Sequence, residues 1–531
     1  MLLRLNNLRV GLINEHSLQE IVAHRLNISK ENILEVKVLR RAVDARRKNN
    51  ICLVYHVRLD LVVSGKKVDI ILQDRDITRW EEQKPNKINF GTEELCNRPV
   101  VIGAGPAGLV AALELAKHGY KPLVLERGKK ISERVQDVEK FWHKGEFNPA
   151  SNVQFGVGGA GTFSDGKLTT RINDPIMSHI LKTFVEAGAP EEIIYEQKPH
   201  VGTDKLRFMV SNLVKQLVEC GGEIVTESQV MSLLVKEGKI EGVELSNGEN
   251  IKTNAVILAI GHSARDTYQT LFEQGVALEA KAFAIGVRVE HEQAVIDKAQ
   301  YGEFAGHPKL GAADYALVYH EPVYGRTVYS FCMCPGGWVV AATSESGGVV
   351  TNGMSMHGRD SGIANSALVV NVEPKDFGSG PLAGIEFQRR YEQLAYEAGG
   401  KNYSAPAQSI KSFLEKSEPM LHVGFTPTYA PGLVPFSLDK VLPDYVAETL
   451  RAGIKVFARR IAGFSSEGLL IGVETRTSAP VRILRSAEGQ SITHEGLYPT
   501  GEGAGYAGGI MSAAMDGYYQ AVHVMQKFKR F

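Results

Sequence analysis

The chain has 531 residues, of which 44% are apolar and 23% charged, and its formal net charge is zero. This length allows about three domains, and the balanced charge gives no sign of a nucleic-acid or membrane partner. No apolar run approaches the roughly 18 residues that a membrane-spanning helix needs. The five cysteines are an odd number in a long chain, which favours free thiols in a reducing compartment, so we expect a cytoplasmic protein.

Residues 1–95 are typical of a small α+β domain. Strands are predicted over 2–10, 33–39 and 51–63, and a helix over 17–26 has Ser17 as N-cap and Glu20 completing a capping box. The basic run at 40–48 is either an RNA- or anion-binding face or a solvated hairpin connection, and we favour the connection because short basic runs are usually surface. The polar residues 81–97 are typical of a linker.

A nucleotide-binding pattern follows at 98–127. An apolar strand at 100–102 leads into glycines spaced G-x-G-x-x-G, a helix over 107–118, and a second strand at 123–125 that ends in Glu126. Gly103 permits the tight turn, Gly105 lets the backbone approach a pyrophosphate, and Gly108 lets the helix pack closely on the strand. The start of the helix presents free N–H groups to phosphates, and Glu126 is placed to accept both ribose hydroxyls. The pattern alone does not distinguish NAD from FAD.

A glycine-rich loop occupies 152–168, after a charged helical stretch at 131–150. Such a loop exposes many backbone N–H groups and can wrap a planar, polar ring and its phosphate tail. Its apolar residues argue against a disordered loop, so we predict that it contacts a cofactor.

The segment 176–275 continues the doubly wound pattern. Helices are predicted over 176–187 and 205–220, a strand over 223–226, a meander over 230–253, and a buried strand over 255–260 that ends at Gly261. Strand ends at glycine turns are where cofactors lie in doubly wound sheets.

Residues 276–490 carry no second nucleotide pattern and are predicted to form a substrate domain with a sheet core. Strands are predicted over 282–289, 327–331, 338–343 and 366–372, and helices over 384–397 and 442–459. Cys332 and Cys334 are either a redox-active dithiol facing a flavin or small side chains on one buried strand face. We favour the second interpretation because a C-x-C disulfide is strained, and the neighbouring residues complete no zinc site.

The segment 496–531 contains a second G-x-G-x-x-G, followed by a helix predicted over 511–528. It is not a second nucleotide domain, because no strand follows the helix. Glu502 can hold ribitol or ribose hydroxyls, and the start of the helix can stabilise negative charge on a flavin ring.

These residues resemble a known family. Gly103, Gly105, Gly108 and Glu126 are similar to the FAD fingerprint of the two-dinucleotide-binding-domain flavoproteins, and 500–505 is similar to their T-G-D motif with Glu502 in place of Asp. The turn at 259–261 is similar to their A-T-G motif. Over nearly its full length the chain resembles the bacterial FAD-dependent dehydrogenases labelled NAD(FAD)-utilising, through 158–168 and 332–340. The resemblance implies a fold and FAD, but no substrate.

We therefore predict an α/β fold: a Rossmann-like FAD-binding domain with an inserted β-rich substrate domain and a small ferredoxin-like α+β domain. We expect the small α+β domain at 1–95, the two parts of the FAD-binding domain at 96–275 and 491–531, and the substrate domain at 276–490. The predicted cofactor residues are Gly103, Gly105, Pro106, Ala107, Gly108, Glu126, Arg127, Gly158, Gly159, Ala160, Gly161, Thr162, Leu168, Val230, Ala259, Gly261, Gly501, Glu502, Gly508, Gly509 and Ile510.

The expected function is that of a FAD-dependent oxidoreductase passing hydride between flavin N5 and a small organic substrate, with NAD(P)H as a transient reductant. No acid or base is singled out by the sequence. The alternatives are an RNA-modifying or RNA-binding flavoprotein that uses the basic N-terminal domain, a flavin monooxygenase, and an NAD-binding dehydrogenase without a bound flavin.

Overall fold

A computed structural model of the chain describes residues 1–63, 66–81, 88–170, 172 and 174–531. Part of the predicted linker, 82–87, lies outside these residues. Among the described helices, none combines the length and the apolar character that crossing a membrane requires.

The N-terminal part is a four-stranded antiparallel sheet with two helices. Its elements are β1 (Leu2–Gly11), α1 (Leu18–Leu26), β2 (Ile33–Asp44), β3 (Cys52–Leu61), α2 (Lys66–Leu72) and β4 (Ile77–Arg79). The strand order β2-β3-β1-β4 is that of a ferredoxin-like fold, which the sequence predicted. Apolar residues of β1 alternate into the core, and Ser17 and Glu20 form the predicted capping box on α1.

The basic run differs from its prediction. Strand β2 continues to Asp44 instead of ending at 39, because its second half pairs with β3 and includes a bulge near Arg40. Arg41 forms an ion pair with Glu196 of a later segment, and Asp44 accepts hydrogen bonds from Arg9 and Arg46. Arg41 and Arg46, two of the cations in this run, are therefore compensated within the chain.

The next part builds the nucleotide-type unit. Its elements are β5 (Val100–Ile102), α3 (Pro106–Lys117), β6 (Leu123–Leu125), α4 (Ile131–Lys144), α5 (Ile176–Glu186), α6 (Thr203–Glu219), β7 (Glu223–Val225), β8 (Val230–Lys236), β9 (Lys239–Leu245), β10 (Asn250–Lys252), β11 (Val256–Leu258), α7 (Arg265–Glu273) and β12 (Leu278–Ala280). The predicted helices, meander and buried strand are all present, with ends shifted by a few residues.

The middle part is dominated by strands. Its elements are β13 (Phe283–Glu292), α8 (Gln293–Tyr301), β14 (Val318–Glu321), β15 (Arg326–Cys334), β16 (Gly337–Ala341), β17 (Thr351–Ser355), β18 (Ile363–Val372), α9 (Pro374–Phe377), α10 (Ala383–Ala398), β19 (Ala405–Ser409), α11 (Ile410–Glu415), β20 (Leu433–Pro435), α12 (Asp444–Arg460), β21 (Leu469–Glu474) and β22 (Val481–Ile483). The chain then returns to the nucleotide-type unit through β23 (Leu497–Pro499) and α13 (Ile510–Lys527).

Two sheets position the functional site. The first is parallel, with the order β23-β11-β5-β6-β7, and its core lies between helices α3, α6 and α13 on one face and the β8–β10 meander on the other. The second, which we call the middle sheet, has the order β14-β15-β18-β13-β21-β19-β20. The short β12–β22 ribbon connects the two parts. The predicted fold class, a Rossmann-like unit interrupted by a β-rich insertion, is confirmed.

Candidate functional site

The turn after β5 shows why its glycines are needed. An ideal Cβ on Gly108 would lie 1.9 Å from the carbonyl oxygen of Gly103, and one on Gly103, whose φ is +99°, would lie 2.4 Å from the carbonyl oxygen of Ala259. On Gly105 the nearest atom would be the Cα of Gly159, at 3.9 Å. Two of the three glycines are therefore required by the fold, and Gly105 alone leaves open space above the start of α3, which fits a phosphate group.

Glu126 lies buried at the end of β6. Its carboxylate accepts hydrogen bonds from the backbone N–H groups of Ala104 at 2.8 Å, Gly128 at 2.9 Å and Gly156 at 3.0 Å. A carboxylate offers about four acceptor positions, so this arrangement leaves room for about one more strong hydrogen bond. In this arrangement the carboxylate has room for one ribose hydroxyl, whereas the sequence analysis expected it to accept both.

The glycine-rich loop is shaped by an arginine that the sequence analysis did not single out. Arg134 of α4 is fully buried beneath the loop, and burial lowers its pKa to about 9. Its guanidinium donates to the carbonyl oxygens of Asn152, Val153, Gly156, Val157 and Gly159, at 2.8–3.2 Å. Because the carbonyls are bound from below, the loop is held in one conformation next to the turn after β5.

The C-terminal turn closes the same region. Ideal Cβ atoms on Gly508 and Gly509 would meet no atom within 4 Å, so the backbone just before α13 is open to a ligand. Nearby, burial raises the pKa of Glu502 to about 7, with Lys281 opposing the shift. A carboxyl group that is partly ionised at neutral pH can accept hydroxyl donors, and the open helix start beside it can stabilise negative charge, so this turn fits a cofactor that brings both.

These elements surround one cleft, whose empty volume with its open mouth is about 1540 Å³. Its lining includes residues of the turn after β5, of the glycine-rich loop and of the start of α13. Most of the predicted cofactor residues line it, namely Gly103, Gly105, Pro106, Ala107, Glu126, Arg127, Gly159, Ala160, Gly161, Val230, Ala259, Gly261, Glu502, Gly508, Gly509 and Ile510.

The remaining predicted residues lie behind the walls. Gly108 packs against the turn after β5, and an ideal Cβ on Gly158 would lie 2.2 Å from the Oγ1 of Thr162. Leu168 belongs to the hydrophobic core, and the N–H of Gly501 donates to the Oδ2 of Asp516 at 2.6 Å. These residues support the cleft from behind and do not line it.

The cleft ends against the middle sheet, in a region that we call the sheet end. Its lining residues there are Lys167, Phe331, Cys332, Cys334, Asn352, Gly353, Glu474, Arg476 and Thr477. The sequence analysis predicted a cofactor contact for the loop that contains Lys167 and left a flavin-facing dithiol of Cys332 and Cys334 as the less favoured alternative. It did not select the other residues of the sheet end as cofactor residues. The lining residues come from four separate segments, and only tertiary packing brings them together.

The two cysteines differ from the favoured interpretation, which put both on a buried face. A bulge between Phe331 and Cys334 interrupts β15, and Cys332 adopts a left-handed backbone with φ of +42° and faces the cleft. Cys334 is buried, and its Sγ lies 3.4 Å from the Nη2 of Arg288. Both thiols are free, and Cys332 is exposed to the cleft, although desolvation by the surrounding protein raises its pKa to about 12. A strained, cleft-facing residue is typical of functional sites.

Charged side chains are concentrated behind the sheet end. Arg288, fully buried in β13, pairs with Glu474 at 3.2 Å, and burial raises the pKa of Glu474 to about 7 although Arg288 opposes the shift. Arg265 and Arg476 share the buried carboxylate of Glu392, at 2.8 and 2.9 Å. This second network joins α7 of the nucleotide-type unit to the middle part.

His262 and His357 both form hydrogen bonds within the protein. His262 lines the cleft, and burial together with Arg476 and Arg265 lowers its pKa to about 3, which keeps it neutral. His357 contacts Glu192 and the carbonyl of Val201.

Comparisons with known proteins agree with this geometry. Residues 97–285 match the family model for pyridine nucleotide-disulphide oxidoreductases, residues 282–477 match the model for the C-terminal domain of FAD-dependent proteins, and residues 2–60 match a domain of unknown function. An uncharacterized protein of Clostridium beijerinckii is 50% identical over 534 residues, covering 99% of each chain. FixC of Escherichia coli O157:H7 is 27% identical over 185 residues, which cover 30% of this chain and 36% of FixC.

Among solved structures, L-proline dehydrogenase from P. horikoshii has a TM-score of 0.35 and 14% identity, covering 83% of this chain and 96% of that chain. Glycine oxidase from Bacillus cereus has a TM-score of 0.36 and 10% identity, covering 82% and 98%. These scores are too low to carry an argument. The two flavoprotein models and the full-length relative lead to one conclusion: the chain belongs to a family of FAD-dependent dehydrogenases and is an oxidoreductase whose cofactor is FAD.

Proposed function

We propose that FAD occupies the cleft with its adenosine half near Glu126 and its ring near the sheet end. The predicted cofactor residues that line the cleft would hold it, and Gly108, Gly158, Thr162, Leu168 and Gly501 would support them from behind. The fit of a dinucleotide is supported by the open space at Gly105, Gly508 and Gly509, where a Cβ would occupy part of the cleft. The chain would be divided into a small α+β domain at 1–95, a FAD-binding domain formed by 96–275 and 491–531, and a substrate domain at 276–490.

The reaction that we propose is hydride transfer between flavin N5 and a small organic substrate. FAD supplies a ring that accepts or donates hydride, and the protein supplies position and electrostatics. Arg134 would fix the loop over the cofactor, and the network of Arg265, Glu392 and Arg476 would fix the angle between the cofactor region and the middle sheet. The observation that carries this proposal is a single cleft running from the turn after β5 to the middle sheet.

We also propose that NAD(P)H reduces the enzyme by visiting the sheet end transiently. The parallel sheet has one turn of the nucleotide-binding type within the described residues, and FAD would occupy it. A nicotinamide would therefore share the substrate end of the cleft rather than hold a site of its own.

The test is the visible spectrum of the purified full-length protein, followed by NADH or NADPH without oxygen. A flavin spectrum that bleaches supports both the cofactor site and the nicotinamide reductant. A spectrum that stays oxidised removes the nicotinamide proposal and turns the search to a substrate that donates hydride itself. Absence of flavin after reconstitution with FAD would overturn the placement of FAD in this cleft.

A further inference from the structure

Lys167 stands where the glycine-rich loop meets the middle sheet. Its ammonium lies 3.0 Å from the carboxylate of Asp165 and donates to the carbonyl oxygen of Met333. An ammonium has three N–H donors, so two are used by the protein and one is left. Because Lys167 lines the cleft, that third donor is available to a molecule bound at the sheet end.

The charge around Lys167 is not balanced. Asp165 is buried and also accepts two hydrogen bonds from Arg359, at 3.0 and 2.7 Å, so two cations share one carboxylate. Burial lowers the pKa of Lys167, and so does Arg359, but the contribution of Asp165 opposes both and the net direction is upward. Lys167 therefore carries its charge at neutral pH.

The neighbouring pairs do not remove this excess. Arg288 faces Glu474, which at neutral pH is only partly ionised. Arg265 and Arg476 are matched by Glu392 and by Glu345, which lies beside Arg265. Adding these groups leaves at least one positive charge at the sheet end, where the Lys167 side chain keeps 27% of its surface exposed. A bound anion would pair with this charge.

The other walls define what kind of anion fits. Phe331 and Cys332 offer an apolar surface, and Asn352 and Thr477 offer neutral polar groups. Glu474 and Arg476 also line this end, but each is already paired, with Arg288 and Glu392. This combination suits an organic molecule with a carboxylate at one end and an uncharged body.

We propose that the substrate of this enzyme is an organic anion, and that Lys167 donates its third hydrogen bond to the carboxylate of that substrate. The inference rests on the proposed function, because it assumes that the sheet end is where substrate meets the flavin. It adds the chemical class of the substrate and names the residue that selects it.

The experiment uses the FAD-loaded full-length protein and follows the visible spectrum of the flavin during titration. The probes are acetate, benzoate and succinate, each compared with its neutral amide. We expect at least one carboxylate to perturb the spectrum saturably and to bind at least about tenfold more tightly than its amide, the factor expected for a charged hydrogen bond. Lys167→Met should weaken that carboxylate by a similar factor, and Lys167→Arg should retain most of the affinity.

Lys198→Met is the matched control, because Lys198 also pairs with an aspartate, Asp314, but away from the cleft. It should leave carboxylate binding unchanged. Equal binding of carboxylates and amides, or an unchanged affinity in Lys167→Met, would overturn the inference, and so would a panel in which no carboxylate binds. Failure of the proposed function gives a different result, namely a protein without a flavin spectrum to titrate.

Discussion

The carboxylate of Glu126 accepts the backbone N–H of Gly156 at 3.0 Å, which ties the end of a strand to a loop thirty residues further along the chain. Together with the bonds from Ala104 and Gly128, it fixes the three backbone segments that meet at the nucleotide end of the cleft. The residue expected to bind ribose is therefore also a structural link.

Glu126→Gln should weaken both the fold and the cofactor site. A glutamine has one acceptor oxygen, and its NH₂ group would face an N–H donor, so at least one buried hydrogen bond is lost. We expect a loss of roughly 1–3 kcal/mol in the free energy of unfolding of the cofactor-free protein, measured by urea denaturation, and a lower FAD content. Glu223→Gln is the control, since Glu223 is exposed and pairs with Arg98 at the surface. Equal stability of the two variants would contradict this structural role.

Gly105→Ala should separate cofactor binding from folding. A Cβ at this position meets no atom closer than 3.9 Å, so thermal stability of the cofactor-free protein should stay unchanged. The same methyl group would occupy space that we assign to the pyrophosphate, and FAD affinity, measured by quenching of FAD fluorescence, should fall at least about tenfold.

Gly108→Ala, the companion variant, should show the opposite pattern. Its Cβ would lie 1.9 Å from a carbonyl oxygen, so the helix must shift and the free energy of unfolding should fall by roughly 1–3 kcal/mol. If Gly105→Ala bound FAD normally, the pyrophosphate would have to lie elsewhere.

FAD affinity should depend on pH through Glu502. Burial raises the pKa of this carboxyl to about 7, and its ionised form is the better acceptor for cofactor hydroxyls. Affinity should therefore rise as pH increases through about 7 and fall as pH decreases, and Glu502→Gln should flatten this profile. Because the folded-state pKa exceeds the ordinary value of 4.5, stability of the cofactor-free protein is lost as pH rises from about 4.5 to 7, and the variant should have a higher Tm at pH 8.

Glu290→Gln is the control for this profile. Burial also raises the pKa of Glu290 to about 7, but its carboxylate binds Thr428 and lies outside the cleft lining. The FAD affinity of this variant should keep the slope of the parent protein. If the pH dependence of FAD affinity disappeared in Glu290→Gln and survived in Glu502→Gln, the assignment of the titration to Glu502 would be wrong.

Alkylation should distinguish the thiol of Cys332 from those of Cys96, Cys220 and Cys334. Cys96 and Cys220 are exposed and should react with iodoacetamide with or without cofactor, whereas buried Cys334 should stay unlabelled. Cys332 should react only in the cofactor-free protein, slowly at neutral pH and faster as pH rises, because its pKa is raised to about 12. Peptide mass spectrometry reads all four sites. A peptide containing a disulfide between Cys332 and Cys334 would instead favour the redox-active interpretation.

Local patterns predicted a large share of this molecule. The capping box at Ser17, the glycine spacing after β5 and the meander that begins at Val230 each depend on residues close in sequence, and each was found. Strand β2 was predicted too short because charged residues on an exposed strand face interrupt an apolar pattern without interrupting pairing.

The sheet end could not be predicted in the same way. Lys167, Arg288 and Glu474 are separated by more than a hundred residues from one another, and their proximity is decided by how the middle sheet packs on the loop. Arg134 lies in a charged helix, and its sequence context does not distinguish a buried arginine from a solvated one. The bulge that turns Cys332 toward the cleft depends on pairing with β18, which no local pattern specifies.

Strand β23 forms an edge of the parallel sheet, next to β11, and the residues that open the cleft at α13 follow it. A ribosome therefore produces the first four strands of this sheet, then the whole middle sheet, and only afterwards the strand and helix that complete the cleft. Until β23 is made, the edge of β11 lacks its partner strand, and more than two hundred residues are added during that time. A cofactor that needs the complete cleft can therefore bind only late in biosynthesis, to a chain whose middle sheet has already been made.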